Sequence, residues 1–293
     1  MAHHRSGALR AAAPGEAADE ERPQPLRLEG VTKSFPARAG GRLDVLRGID
    51  LSVRSGAIHA ILGRSGCGKS TLLHLIAGLA PHDGGRIAIE GVDMAAFRDW
   101  RAIGYVFQDD RLLPWRSALR NVALALEPEG LSRRERLDRA REMLALVGLS
   151  GFEEAFPNEL SGGMRSRVAL ARSLAHRPRI LLMDEPFSRL DAQTRAAMHG
   201  EVARLRDLLG MTVLFVTHDV EEAAVLADEV TVLAPRPGRV IARFTLDGPR
   251  PPRDGTAPTA VETVRRLKAA LQDTPPGEVE AEIRNIAEFG VSR

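Results

Sequence analysis

Residues 57–74 read Ala57-Ile58-His59-Ala60-Ile61-Leu62-Gly63-Arg64-Ser65-Gly66-Cys67-Gly68-Lys69-Ser70-Thr71-Leu72-Leu73-His74. The apolar run up to Leu62 predicts a buried strand, and the residues from Thr71 onward predict the first turns of a helix. Between them, Gly63–Ser70 fits G-x-x-x-x-G-K-[ST], a loop whose glycines let backbone N–H groups close around phosphates. Short Gly/Ser turns are common, and it is the strand before and the helix after that give this one chemical meaning. The helix N-terminus adds positive potential, Lys69 adds a mobile cation, and the Ser70 hydroxyl can sit on Mg²⁺. Gly63, Ser65, Gly66, Cys67, Gly68 and Thr71 complete the expected nucleotide-contacting set.

The rest of the chain is compatible with such an enzyme. Its 293 residues, 44% hydrophobic, suffice for one large domain or a domain carrying an inserted subdomain. A net charge of +2 implies no strong field for nucleic acid or lipid. The single cysteine, Cys67, excludes an internal disulfide and suits a reducing cytosol. No run of about 18 apolar residues is present to span a membrane. Residues 1–25, rich in Ala, Pro and charge, are expected to form a disordered tail without the apolar core of a secretory signal.

Strands are expected from Leu26 through Val31, at Ile49-Leu51-Val53 with strict alternation, at Ile87–Ile89 and at Ile103–Phe107. From about 117 to 178 the pattern is helical: Leu137, Ala140, Leu144 and Val147 recur at spacings of three and four, and Gly148 is a plausible stop. Ile180–Met183 and Thr212–Val216 are apolar without alternation, as in parallel strands covered on both faces. A last strand pair, near Val230–Leu233 and Val240–Ala242, is expected to turn at Pro237-Gly238. The fold class is therefore α/β: a phosphate-loop NTPase core with a parallel sheet, an N-terminal antiparallel β layer and an inserted α-helical subdomain. Residues 26–245 would form this domain. Residues 246–293 would add short helices: one opened by a capping box at Thr259 and Glu262, with Val261, Val264, Leu267 and Leu271 on one face, and one carrying Val279, Ile283 and Ile286.

Three further stretches carry chemistry. Ile180-Leu181-Leu182-Met183-Asp184-Glu185 is a strand that delivers two acids at its C-terminal end, where open α/β sheets bind ligands. Asp184 can hold Mg²⁺ and Glu185 can polarise an attacking water, with an ordinary helix cap as the competing reading. Leu160-Ser161-Gly162-Gly163-Met164 opens a helix, so Ser161 and the two glycines make a second anion site. Thr217-His218-Asp219 follows the next strand, and its His218 can reach a γ-phosphate.

In this order, the stretches resemble the ATP-binding subunits of ABC transporters over residues 26 to about 245. The resemblance implies a head-to-tail dimer, with each ATP held between one subunit's phosphate loop and Ser161-Gly162-Gly163 of the other. It also implies Phe35 as the aromatic that stacks on adenine, the competing reading being a core phenylalanine. It further implies Gln108 as a contact for Mg²⁺ and water, Asp191 in the loop Ser188-Arg189-Leu190-Asp191, and Lys69, Glu185 and His218 as the catalytic groups. Met164, Ser166 and Arg189 depart from the family's usual Gln, Gln and Ala. Phe107-Gln108-Asp109-Asp110-Arg111-Leu112-Leu113-Pro114-Trp115 and Asp184–Asp191 look like the nitrate, sulfonate and taurine importer branch, most like the aliphatic-sulfonate ATPases, with taurine and nitrate types as close alternatives.

Such a subunit is expected as a homodimer on the cytoplasmic face of the membrane. It would be held there by permease subunits, served indirectly by a solute-binding protein, and would have no nucleic-acid partner. Leu112–Trp115 could line a groove for a permease helix or pack locally. The rival readings fit less well. Ribosome-associated members of the family carry two such domains in one chain. DNA-repair members place a long coiled coil between the phosphate loop and the L-S-G-G helix, whereas only about 90 residues separate Lys69 from Ser161, with no long heptad run. Phosphate-loop kinases and GTPases lack L-S-G-G.

Overall fold

The structure is a computed structural model that describes residues 10–11, 24–37, 41–246 and 248–272. In chain order the strands are β1 (Arg10–Ala11), β2 (Leu26–Pro36), β3 (Arg42–Val53), β4 (Ile58–Gly63), β5 (Gly84–Ile89), β6 (Val92–Asp93), β7 (Ile103–Val106), β8 (Ile180–Asp184), β9 (Thr212–Thr217), β10 (Glu229–Leu233) and β11 (Val240–Thr245). The helices are α1 (Lys69–Ile76), α2 (Ala118–Ala125), α3 (Arg133–Leu146), α4 (Gly162–Leu174), α5 (Ala192–Leu209), α6 (Val220–Leu226) and α7 (Pro258–Gln272). The chain forms two compact units, one from the residues up to Phe97 and from Val216 onward, the other from Arg98–Phe215.

In the first unit, β3, β2, β5 and β6 lie side by side as an antiparallel sheet. Leu26, Leu28 and Val31 pair with Val53, Leu51 and Ile49, and Leu26 and Leu28 pair again with Ile89 and Ile87. All of these side chains are buried. The alternation expected of a sheet with one covered face is met at Ile49, Leu51 and Val53, and it breaks where β2 shifts register between Leu28 and Val31. β4 is different: its six residues are all buried, and β10 pairs with it in parallel from Glu229↔His59 to Leu233↔Gly63. β11 runs antiparallel to β10. Arg10 and Ala11 pair with Thr245 and Phe244; β11 offers them an edge with backbone groups to satisfy. Of the tail expected over residues 1–25, residues 1–9 and 12–23 lie outside the described residues, as does the helix expected at Val279, Ile283 and Ile286, while Pro25 O accepts from the Glu90 amide at 2.9 Å.

α7 packs on α6 and β10. It buries Ala260, Thr263 and Leu267, while Val261 is 55% exposed. The inward face is thus offset from the one expected at Val261. The helix begins at Pro258, which puts Thr259 inside it rather than at its cap. Thr263 enters the buried face because its hydroxyl donates to the Thr259 carbonyl at 2.8 Å and needs no other partner.

In the second unit, β8 lies between β9 and β7, with β7 and β8 parallel from Ile103↔Ile180 to Val106↔Met183. α2, α3 and α4 pack on one another. Ala140, Leu144 and Val147 are buried, and the chain leaves α3 at Gly148 with φ 73°. Phe187 is fully buried, with its ring edge-on to His199 and Phe215. Burying a side chain of this size contributes about 1.5–3 kcal/mol.

Two contacts in the first unit bear on the phosphate loop and on the end of β2. The hairpin between β10 and β11 is pinned to β3 and reaches the phosphate loop: the Gly238 amide donates to the Val45 carbonyl of β3 at 2.8 Å, Gly238 O accepts from the Arg47 amide of β3 at 2.9 Å, and Arg236 Nε donates to Gly66 O of the loop at 3.2 Å. A Cβ on Gly238 would stand 2.2 Å from the Cys67 carbonyl oxygen, a backbone atom with no rotamer to escape into. The second contact is at the end of β2, where Asp83 accepts from Lys33 Nζ at 2.9 Å, from the Ser34 amide and hydroxyl at 2.8 Å each, and from Arg42 at 2.8 Å. The Lys33 ammonium, then the Ser34 amide and hydroxyl, hold the Asp83 carboxyl well below the usual carboxylate range.

Gly238→Ala should therefore cost about 1–3 kcal/mol of stability and weaken nucleotide binding with it, measurable as a lower urea midpoint and a raised Kd for ATP. A carboxylate whose pKa falls on folding stabilises the native state above its unfolded pKa and loses that contribution as pH falls toward the folded value. Asp83→Asn should accordingly be less stable than the parent at pH 7. The gap should narrow only below about pH 4 in urea titrations run across pH.

Candidate functional site

The phosphate loop leaves β4 at Gly63 and enters α1 at Lys69. Gly66 and Gly68 have φ 79° and 99°, left-handed values that glycine adopts without strain. Cys67 is buried beneath the loop, with Sγ 2.7 Å from where a Cβ on Gly63 would be. Lys69 is only 4% exposed, and its ammonium donates to Gly63 O at 2.9 Å and Arg64 O at 3.3 Å. The cation is thus folded over the loop, and Ser65 and Gly66 are exposed above it. Ser70 and Thr71 lie half-buried in the first turn of α1, where the backbone N–H groups have no intrahelical acceptor. The loop has the shape of an anion cradle.

The same unit holds two more of the expected residues. Phe35, near the end of β2, is 40% exposed, with Lys33 Nζ 5.1 Å from its ring centroid. This is not the environment of a core phenylalanine. His218 is exposed just after β9, and Asp219 behind it caps α6 by accepting from the Glu221 amide at 2.8 Å.

The second unit holds the others. Asp184 ends β8 and is 6% exposed, with the Tyr105 hydroxyl 3.5 Å from Oδ2. Burial, and then the Asp184 charge, push the Tyr105 phenol above its ordinary pKa, so it stays protonated as a donor. Glu185 follows with φ 43°, a left-handed conformation that costs a non-glycine residue about 1–3 kcal/mol. Its carbonyl accepts from the Ser188 hydroxyl at 2.9 Å and from the Ser188 amide at 3.3 Å, which closes a turn just after the strand. Asp191 caps α5, accepting from the Thr194 amide at 2.9 Å and hydroxyl at 2.7 Å, and these bonds lower its pKa.

Ser161 caps α4, its oxygen accepting from the Met164 amide at 3.2 Å. That use leaves the hydroxyl hydrogen to donate outward. A Cβ on Gly163 would come 2.6 Å from Thr194 Cγ2, so the starts of α4 and α5 touch, and Ser161–Gly163 and Asp191 are brought to one place.

Gln108 is exposed two residues beyond the end of β7 at Val106. The residues after it are held by three arginines, two from α4 and one, Arg189, from the loop that ends at Asp191. Arg165 pairs with Asp110 at 3.1 Å, Arg172 donates to the carbonyls of Asp110 at 2.7 Å and Arg111 at 2.8 Å, and Arg189 pairs with Asp109. Arg189, the departure from Ala, thus has a local partner. The sequence signals for these contacts are the abundance of arginine in α4 and the arginine at 189 in place of Ala; their partners lie some 55–80 residues away. Of Leu112–Trp115, Leu112 is buried and Trp115 is 70% exposed. Trp115 lines a cavity of about 410 Å³ with Arg116, Arg120, Leu124, Glu127 and Leu137, so the stretch divides between core and groove.

The donors expected for Mg²⁺, namely the Ser70 hydroxyl, the Gln108 amide oxygen and the Asp184 carboxylate, are all hard oxygens and suit that ion. Among the described residues no group of three His, Cys, Asp or Glu could hold a metal by itself. No helix among the described residues is long and apolar enough to cross a membrane.

Comparison with known proteins places the chain in a family. Residues 46–188 match the family model described as ABC transporter. The chain is 48% identical over 222 residues to a taurine import ATP-binding protein of Rhizobium johnstonii, covering 76% of this chain and 84% of that protein. It is 44% identical over 253 residues to an aliphatic sulfonates import ATP-binding protein of Cupriavidus pinatubonensis, covering 86% and 80%. Among solved structures, the dimeric post-hydrolysis state of an ATP-binding cassette bound to ADP and Pi superposes with a TM-score of 0.68 at 33% identity, over 76% of this chain and 99% of that one. With the cradle, the acid-ended strand and the L-S-G-G helix in place, the chain belongs to the ABC transporter family and is an ATPase of that family.

Proposed function

We propose that this ATPase powers the import of small sulfonates through a membrane permease, with taurine-type aminosulfonates and longer aliphatic sulfonates as the substrate class. The observation that carries the ATP-driven part is the cradle of Gly63–Ser70, with its buried ammonium at the start of α1. The substrate class is supported by the likeness to the taurine and sulfonate proteins and by the stretch Phe107–Trp115.

In this reading Phe35 stacks on adenine, and the loop amides with Lys69 bind the β- and γ-phosphates. Ser70, Gln108 and Asp184 would hold Mg²⁺, which when bound supplies positive charge to the phosphate oxygens. The Glu185 carboxylate accepts a hydrogen bond from water and aims its lone pair at the γ-phosphorus. The new P–O bond forms in line as the bond to the bridging oxygen breaks, leaving ADP and phosphate. Lys69 neutralises charge gathering on the leaving side, and His218 donates to the γ-phosphate and keeps it in register. The second anion site works in trans: Ser161, Gly162 and Gly163 of one copy meet the γ-phosphate bound to the other, with Asp191 beside the junction. ATP draws two copies together, and hydrolysis lets them part.

The groove at Trp115 is where this motion would reach the permease. Four arginines and one glutamate line it, a surface suited to an amphipathic segment bearing carboxylates. The subunit would then work at the cytoplasmic face of the membrane, with a solute-binding protein on the other side.

Glu185→Gln should bind ATP like the parent, lose turnover by about two orders of magnitude or more, and accumulate as a dimer, as read by phosphate release and light scattering. A variant that hydrolysed at the parental rate would remove Glu185 from its role. Trp115→Ala should lower retention on the immobilised permease by about tenfold; unchanged retention would move the docking site elsewhere. Uptake of labelled taurine, a longer alkylsulfonate and nitrate by cells carrying the intact transporter would test the substrate class. It would fail if nitrate alone were imported.

A further inference from the structure

We propose that Asp83 is a positioning residue for nucleotide recognition: it fixes the end of β2 so that the Phe35 ring stands ready to receive adenine. The inference rests on the reading of Phe35 as the adenine platform and adds the device that holds it.

β2 needs such a device. Its pairing with β3 shifts register between Val31 and Lys33 and again between Lys33 and Ser34, immediately before Phe35. Its pairing with β5 reaches no farther along β2 than Thr32↔Gly84. The ladder with β3 resumes at Ser34↔Asp44 and carries Phe35↔Leu43 and Pro36↔Arg42, so at the aromatic β2 is held by a strand on one side alone, just after two shifts of register.

Asp83 fills the gap from outside the strand. Its amide donates to the Thr32 carbonyl at 2.9 Å. Oδ1 accepts from Lys33 Nζ, and Oδ2 accepts from the Ser34 amide, the Ser34 hydroxyl and Arg42. Arg42 closes the set by donating from Nε to Ser34 Oγ at 2.8 Å. Three consecutive residues, Thr32, Lys33 and Ser34, are thus tied to one residue, and Phe35 is the next.

The tie also reaches the ring. Lys33 is 8% exposed, and its ammonium is held by Asp83 at a point 5.1 Å from the Phe35 centroid. A cation at that distance is attracted to an aromatic face and limits the rotamers of the ring. Phe35 keeps 40% of its surface open, enough for a flat base to stack on. A platform already in place spares the ordering cost that a mobile ring would incur on binding.

Because adenine and phosphates are recognised by different residues, the two can be measured apart. Full-length parent, Phe35→Ala, Asp83→Asn and the double variant are titrated with ATP and with tripolyphosphate, and melting temperatures are recorded alongside. Asp83→Asn should raise the Kd for ATP about fivefold to tenfold and leave the Kd for tripolyphosphate within about twofold. The double variant should bind ATP no more weakly than Phe35→Ala alone, since both changes remove the same platform. Lys33→Met, which keeps the stem and loses the ammonium, should show the same selective loss and stands in if Asp83→Asn does not fold.

Equal weakening toward ATP and tripolyphosphate would reduce Asp83 to general support and overturn the inference. So would additive losses in the double variant, or an unchanged Kd for ATP in Asp83→Asn beside a raised one in Phe35→Ala. An unchanged Kd for ATP in Phe35→Ala would instead overturn the adenine reading itself, and the single variant identifies that case separately.

Discussion

The nucleotide site depends on how tightly a short piece of backbone can be closed. Amides repel one another's hydrogens when they converge, so an empty anion cradle must be held in shape by something other than its ligand. Here the restraints come from every side. The Lys69 ammonium is drawn onto the carbonyls of Gly63 and Arg64. The Cys67 sulfur fills the space beneath Gly63, and the Gly238 hairpin lies against the Cys67 carbonyl. β4 below the loop is buried throughout, which leaves no slack for a slide in register. Preorganisation of this kind places donors before charge arrives and avoids reorganisation at the moment of reaction.

The second unit shows a different economy. Its functional side chains are placed by caps and turns. Ser161 and Asp191 each use a side-chain oxygen to start a helix, and Glu185 takes a left-handed backbone at the end of a buried strand. Such positions are rigid because the helix or strand behind them is rigid, yet they face outward. Around Gln108 the logic is electrostatic. Three arginines converge on the next three residues, so the loop's conformation is set by the α4 helix and by the turn before α5. Exposed ion pairs contribute about 0–1 kcal/mol each. This network is better read as setting geometry than as supplying stability.

Much of this is legible in the chain. Ile49, Leu51 and Val53 alternate because one face of their sheet is covered, and Ile180–Met183 do not because β8 is covered on both. The phosphate loop, the two acids at the end of β8 and the L-S-G-G helix announce themselves because their chemistry requires residues close in sequence. Interactions between residues far apart escape such a reading. Asp83 with Lys33 and Arg42, and Arg165 with Asp110, are brought together only by the fold, and no local pattern marks them. The left-handed backbone of Glu185 is equally invisible, since nothing in its residue type favours that conformation. The α7 face departs from expectation at Val261 because hydrophobicity alone favours valine over Thr263, whose hydroxyl is satisfied by its own helix.

The burial of Cys67 has a practical side. It is the one thiol in the chain, it is 1% exposed, and it lies in the floor of the phosphate cradle. A thiol reagent can reach it only when the floor opens, and every modified sulfur reports that one event. The rate of labelling in the unaltered protein therefore reads the breathing of the cradle directly, with no engineered probe and no background from other sulfurs.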